Sequence, residues 1–411
     1  MSRRAADFAM ITLASLSAAY ARAALSPLQE ALRSSLHLED SQIALMQGPA
    51  LAIPFVLATL PLGLAIDRYS RARLLLLFTL LQAGGSVITA LAPDFATLFA
   101  ARCVIGFTTT AIGTTVLSLL ADLWAENHRG RASMVIVVGQ FAGMALAFQL
   151  GGVLLSRPPP LGGWRGAMEW LSAPLLLVAV AMLLLREPPR TGVVLEHPSG
   201  PQTWRELWQY RFTIAPLMLG IVTAQMSVAA VLTWTAPAIT RSYPVSMARV
   251  GSLISLGLVL SGVVGPVGGG FLADFSQTRR GPKHTLKLLS GVSLVCVPAG
   301  LFAIAGSMGA VSVLFILFIS LVTAICVIGS AAFTIVVPNE IRGISMAILA
   351  SVSTLCGDGL APVMVNALAR QLGGEVSLAQ ALSAVCAVVS LAGAVFFASA
   401  SPAASRVRST L

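Results

Sequence analysis

Charge is scarce in this chain: of 411 residues only 10% are Asp, Glu, Lys or Arg, and only 16 are acidic. Soluble domains carry about 25% charged residues, so a water-exposed fold is excluded. The 56% hydrophobic content and mean hydropathy of +0.87 put the chain in a bilayer instead. Cysteine is also sparse. All five (Cys103, Cys296, Cys326, Cys356 and Cys386) fall inside apolar runs, where they read as packing residues and not as a disulfide framework. The four histidines (His37, His128, His197 and His284) are far apart and lack metal-ligand spacing, so no metal or other cofactor is expected. The chain also lacks a His-Glu-x-x-His motif, a Walker phosphate loop and paired aspartates on neighbouring apolar segments. Those absences argue against an enzyme and against a pump that carries its own ATPase. The formal charge of +10 does not signal nucleic acid, because the 26 basic residues are dispersed without a contiguous stripe.

What the chain has is apolar length. A helix needs about 20 apolar residues to cross a hydrocarbon core of about 30 Å, and twelve runs meet that ruler. They lie at roughly 8–32, 42–66, 73–92, 95–122, 131–155, 165–186, 212–238, 247–273, 285–305, 310–336, 343–368 and 379–400. An even number leaves both termini on one side. The terminal segments and alternate loops of that side hold 18 Lys and Arg, against six in the opposite loops (Arg33, Arg157, Arg165, Arg241, Arg249 and Arg370). Basic loops stay inside, so both termini are expected in the cytoplasm and the protein in the inner membrane. Arg3-Arg4, an apolar stretch and Ala21-Arg22-Ala23 imitate a secretory signal. The apolar pattern runs on to about Leu32, too long for a signal core, and the first span is expected to serve as the insertion signal itself.

Two loop texts repeat. Gly63-Leu-Ala-Ile-Asp67-Arg68-Tyr-Ser-Arg71 returns as Gly270-Phe-Leu-Ala-Asp274-Phe275, followed by Arg279-Arg280, at an offset of 207 residues. Arg129-Gly130 after span four returns as Arg342-Gly343 after span ten, at an offset of 213. Two echoes at nearly one offset indicate duplication. The expectation is an all-α membrane protein with a six-helix bundle over 1–186, a linker over 187–211 and a second six-helix bundle over 212–411. In the linker, Pro188-Pro189 ends a helix. Its Trp204-Arg-Glu-Leu-Trp208 stretch reads either as an amphipathic helix on the inner leaflet or as the polar lead into span seven.

The pattern Gly-x-x-x-Asp-Arg-x-x-Arg between spans two and three, met at Gly63, Asp67, Arg68 and Arg71, resembles the signature of the major facilitator superfamily. Arg102 with Gly106 resembles its span-four Arg-x-x-x-Gly. Tyr20-Ala-Arg22-Ala-Ala-Leu-Ser-Pro27-Leu-Gln29, Leu38-Glu-Asp-Ser41-Gln42-Ile43 and Gly357-Asp358-Gly359-Leu-Ala-Pro362 are similar to segments of its spinster-like branch. The resemblance implies the major facilitator fold, two pseudo-symmetric bundles that alternate access to a site between them. It also implies a gate at Gly63, Asp67, Arg68, Arg71, Asp274 and Arg279 that holds the cytoplasmic side shut; the alternative is an ordinary solvated loop. Spans five and eight, rich in glycine, meet across the halves in that family. The branch commonly places acidic residues directly before the span-one Arg and seven after the span-four Arg; here those positions are Ala21 and Thr109.

Intramembrane ionisable residues are the candidates for function. Arg102 within span four is either a buried functional cation or a snorkelling one. Arg22 in span one either contacts an anion or forms an intrahelical pair with Glu30, eight residues on, relayed by Ser26. Asp358, near the middle of span eleven, is a proton-coupling candidate together with Glu30, or else a structural pair with a neighbour such as Asn366. The candidate substrate site comprises Tyr20, Arg22, Gln47, Arg102, Thr109, Gln225, Trp234, Thr354 and Asp358, chosen largely by polarity within spans. The expected activity is secondary transport of a small molecule, either an anionic or lysophospholipid-like solute or, by proton coupling, drugs and metabolites. The chain is expected to work as a monomer in the bilayer.

Overall fold

The computed structural model describes residues 3–124, 126–158, 163–188, 211–280, 282–337 and 339–407. Among them twelve helical stretches are long and apolar enough to cross a membrane. They are Arg3–Ser35, Asp40–Thr59, Arg71–Leu91, Phe95–Leu123, His128–Leu155, Gly163–Leu184, Ile214–Ser242, Met247–Ala273, Lys283–Ile304, Met308–Thr334, Ile344–Leu372 and Leu378–Ala400, here called spans one to twelve. Each overlaps one of the apolar runs. Most of the expected linker, with Trp204 and Trp208, lies outside the described residues.

Three spans are broken partway along, and spans six and nine end in 3-10 turns. Span one consists of a helix Arg3–Ala23, a 3-10 turn Ser26–Leu28 and a second helix Gln29–Ser35. Pro27 has no N–H to donate, and its ring collides with the carbonyl one turn back. This break corrects the expectation that Arg22 and Glu30 share a helical face, since they sit on separate segments. Span two divides at Gly48 into Asp40–Gln47 and a helix Pro49–Arg68. The short piece opens on a reciprocal cap: the Glu39 carboxylate accepts from the Gln42 backbone N–H, while the Gln42 side chain accepts from the Glu39 N–H at 2.9 Å. In span eleven a π-helical turn, Thr354–Leu360, separates Asn339–Ser353 from Ala361–Leu372. The ring of Pro362 would press on the Asp358 carbonyl in a regular helix, and widening the turn relieves that contact.

Spans three, four and ten start on Ser70, Asp94 and Ser307, whose side chains accept from backbone N–H groups three residues on at 3.4, 2.9 and 3.3 Å. The Thr97 N–H holds the Asp94 carboxyl below the usual carboxylate range.

The chain forms two compact units: residues 1–193 with 236–259, and residues 194–235 with 260–411. The first therefore takes in the end of span seven and the first half of span eight, which belong to the second half of the sequence. Lipid is as apolar as the side chains, so close helix contacts come from small residues. In the first unit a Cβ on Gly106 of span four would overlap the carbonyl oxygen of Leu51 in span two, and one on Gly143 of span five that of Leu16 in span one. Around these approaches Leu75, Phe78, Ile112, Leu119 and Ile136 form part of a buried core. In the second unit Gly357 lies against Gln225, 2.8 Å from where a Cβ would stand. Gly63 differs. A Cβ there would meet open space.

Candidate functional site

The first unit holds a buried polar cluster built from three spans. Arg102 is 0% exposed, which rules out snorkelling, and its Nη2 donates to the Arg22 carbonyl oxygen at 3.0 Å and to Gln47 Oε1 at 2.6 Å. Gln47, at the end of the first helix of span two, then donates through Nε2 to Ser26 Oγ and Gln29 Oε1, both at 3.1 Å. The break in span one is what makes this cluster: the turn at Pro27 delivers Ser26 and Gln29 to it and leaves the Arg22 carbonyl available beside them. Arg102 Nε and Nη1 are buried and have no hydrogen-bond acceptor among the described residues, and neither does the hydroxyl of buried Tyr20. Half-buried Arg22 is an electrostatic neighbour of like sign. Thr109 lies on the same helix as Arg102 and donates to the Ile105 carbonyl at 2.7 Å.

In the second unit Asp358 is 4% exposed and lies in the π-helical turn with buried Thr354. Gln225 packs on that turn at Gly357. Trp234 is wholly buried, and its indole N–H donates to the Pro362 carbonyl at 2.9 Å, tying span seven to the segment that follows Asp358.

Of the expected gate, Arg71 is held on several sides. Only 4% exposed, it pairs with Asp122 at the end of span four and with Glu187 after span six, the latter at 2.8 Å, and it also reaches Ser118 Oγ at 3.3 Å and the Pro188 carbonyl at 3.4 Å. Glu187 in turn accepts from the Ala72 N–H and Ser70 Oγ, both at 2.8 Å, at the N-terminus of the span-three helix. Burial would raise the Glu187 carboxyl, but the Ala72 N–H, Arg71 and Ser70 outweigh it and hold the group below the usual carboxylate range. Asp67 and Arg68 are exposed. The side chains of Asp274 and Arg279 lie outside the described ones.

At the opposite end of the first unit, Glu30 pairs with Arg33 at 3.0 Å and with Arg241 at 2.9 Å, and not through Ser26 with Arg22. Arg241 forks onto both oxygens of Asp40 at 2.7 and 2.9 Å, and Arg33 lies 3.1 Å from Asp40. Reading the sequence missed Asp122 and Glu187 as partners of Arg71. It also treated Arg241 only as a loop charge.

Among the described residues, twelve apolar helices with polar side chains buried among them have the architecture of a membrane carrier. A model described as Major Facilitator Superfamily matches residues 11–357, and the chain belongs to that superfamily. Among curated relatives, a triacylglyceride transporter of Mycolicibacterium hassiacum is 35% identical over 33% of this chain, and a D-xylose transporter of Levilactobacillus brevis is 28% identical over 36%. These matches span 24% and 32% of the relatives' own lengths. A solved structure of a bacterial homologue of the human lysosomal transporter Spinster, inward-facing and unoccupied, superposes with a TM-score of 0.79 at 20% identity. It covers 99% of this chain and 98% of the other, a likeness of fold.

Proposed function

We propose that the chain is a spinster-like secondary transporter working by alternating access, and that it carries an anionic amphipathic small molecule of lysophospholipid or organic-anion type across the inner membrane. Arg102 carries this reading. A guanidinium buried without a carboxylate is costly, and this one uses a single nitrogen on two neutral acceptors. The positions at which the spinster-like pattern has acids hold Ala21 and Thr109. A substrate anion supplies the charge that the chain does not, through the strong charge-assisted bonds guanidinium forms. A triacylglyceride transporter among the relatives supports a lipid-like cargo. Proteoliposomes loaded in parallel with a radiolabelled lysophospholipid and a cationic dye test the proposal. Flux of the lysophospholipid, abolished by Arg102→Gln, is the expected result, and flux of the dye alone refutes it.

A second reading, a proton-coupled exporter of drugs or metabolites, is favoured by the burial of Asp358 inside a span. Under it Asp358→Asn uncouples transport from the pH gradient, and transport that keeps its full pH-gradient dependence in that variant removes Asp358 as the proton carrier. Glu30 fits that role less well, because two arginines already hold it. In both readings the transporter acts as a monomer with both termini in the cytoplasm.

A further inference from the structure

Two grooves open at the surface of the second unit within its membrane spans. One, of about 310 Å³, lies between spans eleven and twelve, is lined by Met364, Leu368, Gln371, Val385 and Val388 among others, and carries no charge. The other, of about 490 Å³, follows span nine past Leu321 of span ten and is lined by His284, Lys287, Leu288, Val292 and Val295. Spacings of three and four residues set the span-nine positions on one stripe of the helix Pro282–Ala299. The stripe is basic at its start and apolar beyond. Gly291 sits midway along it, and a Cβ there would meet nothing within 4 Å, so the trough is open to a guest. Exposed Lys287 and half-buried His284 lie in the first two turns of the span, the depth at which basic residues between membrane helices hold lipid head groups.

We propose that this groove is a binding site for an anionic phospholipid, with the phosphate on Lys287 and His284 and one acyl chain laid along Leu288, Gly291, Val292 and Val295 against Leu321. Two properties meet in one place. An uncharged trough, like that between spans eleven and twelve, accepts any acyl chain, and a surface lysine without a trough attracts any anion. A basic end joined to an apolar channel selects a molecule with both features. Among the described residues no acidic side chain lines the groove to neutralise the basic pair. A zwitterionic lipid offers the same phosphate but brings its own cation beside Lys287, so the site favours net negative charge. Counting spans from the N terminus, the lipid belongs to the leaflet on the side of the chain termini. The site rests on neither the substrate nor the coupling proposed above.

Purified full-length protein in nanodiscs, melted at rising fractions of phosphatidylglycerol in phosphatidylcholine, tests this directly. The wild type is expected to gain stability as the anionic lipid increases. Lys287→Gln combined with His284→Gln is expected to weaken the apparent affinity at least about fivefold. Lys283→Gln removes the same charge one turn away, outside the groove, and is expected to respond as wild type does. Gly291→Leu fills the trough without touching the charge and should also lose the response; the open space at this position lets the variant fold. The proposal is overturned if Lys283→Gln weakens the response as much as the groove variant, which indicates diffuse surface charge. It is equally overturned if Gly291→Leu responds fully, or if soluble glycerol phosphate stabilises the wild type as well as the lipid does.

Discussion

The two ion clusters of the first unit are made of the same residue types and differ in how they are anchored. Around Arg71 one cation serves two carboxylates, and the set is fastened to main chain through the Ala72 N–H and the Pro188 carbonyl. Around Arg241 two cations serve two carboxylates through side chains alone, at 13–34% exposure. Taking away Arg71 removes the guanidinium that bonds both Asp122 and Glu187. Taking away Arg241 leaves Glu30 and Asp40 still paired with Arg33. The first cluster therefore centres on one buried guanidinium, and the second spreads its pairs over two.

The largest effect should come from Arg71→Met, which removes the buried guanidinium paired with Glu187 and with the 8% exposed side chain of Asp122 and is expected to cost about 3 kcal/mol, read as a lower melting temperature in detergent. A loss no greater than that of Arg241→Gln would erase the distinction between the clusters. Next comes the pair Arg33→Gln with Arg241→Gln, expected to cost about 2 kcal/mol because both acids lose every cation described around them. The loss in the double variant should exceed the sum of the two single losses, and strict additivity would mean that the arginines do not substitute for each other. Arg241→Gln alone should cost about 1 kcal/mol, with Arg241→Lys recovering only part, since an ammonium cannot fork onto both Asp40 oxygens.

Acid gives the smallest and most selective test. Folding holds the Glu187 carboxyl below its ordinary range, so its ionised form stabilises the native state at neutral pH, and that contribution is lost as pH falls through the depressed value. The melting temperature should decline between about pH 5 and pH 3, and less steeply in Glu187→Gln. Parallel slopes would show that Glu187 is not part of the linkage.

The twelve spans were legible because bilayer thickness imposes a length on every apolar run, and that ruler works without knowing any contact. Pro27 and Pro362 were visible too, yet what they do depends on three dimensions. A proline announces that a helix is interrupted, but not that the interruption aims Ser26 and Gln29 at Gln47, or that it widens the turn that holds Asp358. Gln47 was a candidate on polarity alone and Arg102 as a cation within a span, and the structure bonds them directly. The ion clusters were illegible for a different reason. Arg71 and Glu187 are 116 residues apart, and Arg241 and Asp40 are 201 apart; a charge near a span end finds its partner through packing, which no local pattern encodes.

The π-helical turn of span eleven also stores length. It winds one residue more than an α-turn needs, and a single residue corresponds to about 100° of rotation and 1.5 Å of rise in an α-helix. Rewinding that turn would swing whatever lies on one side of Asp358 by more than a quarter of a circle, with both ends of the helix almost where they began. A local exchange of hydrogen-bond partners thus has the leverage to turn a whole helical face.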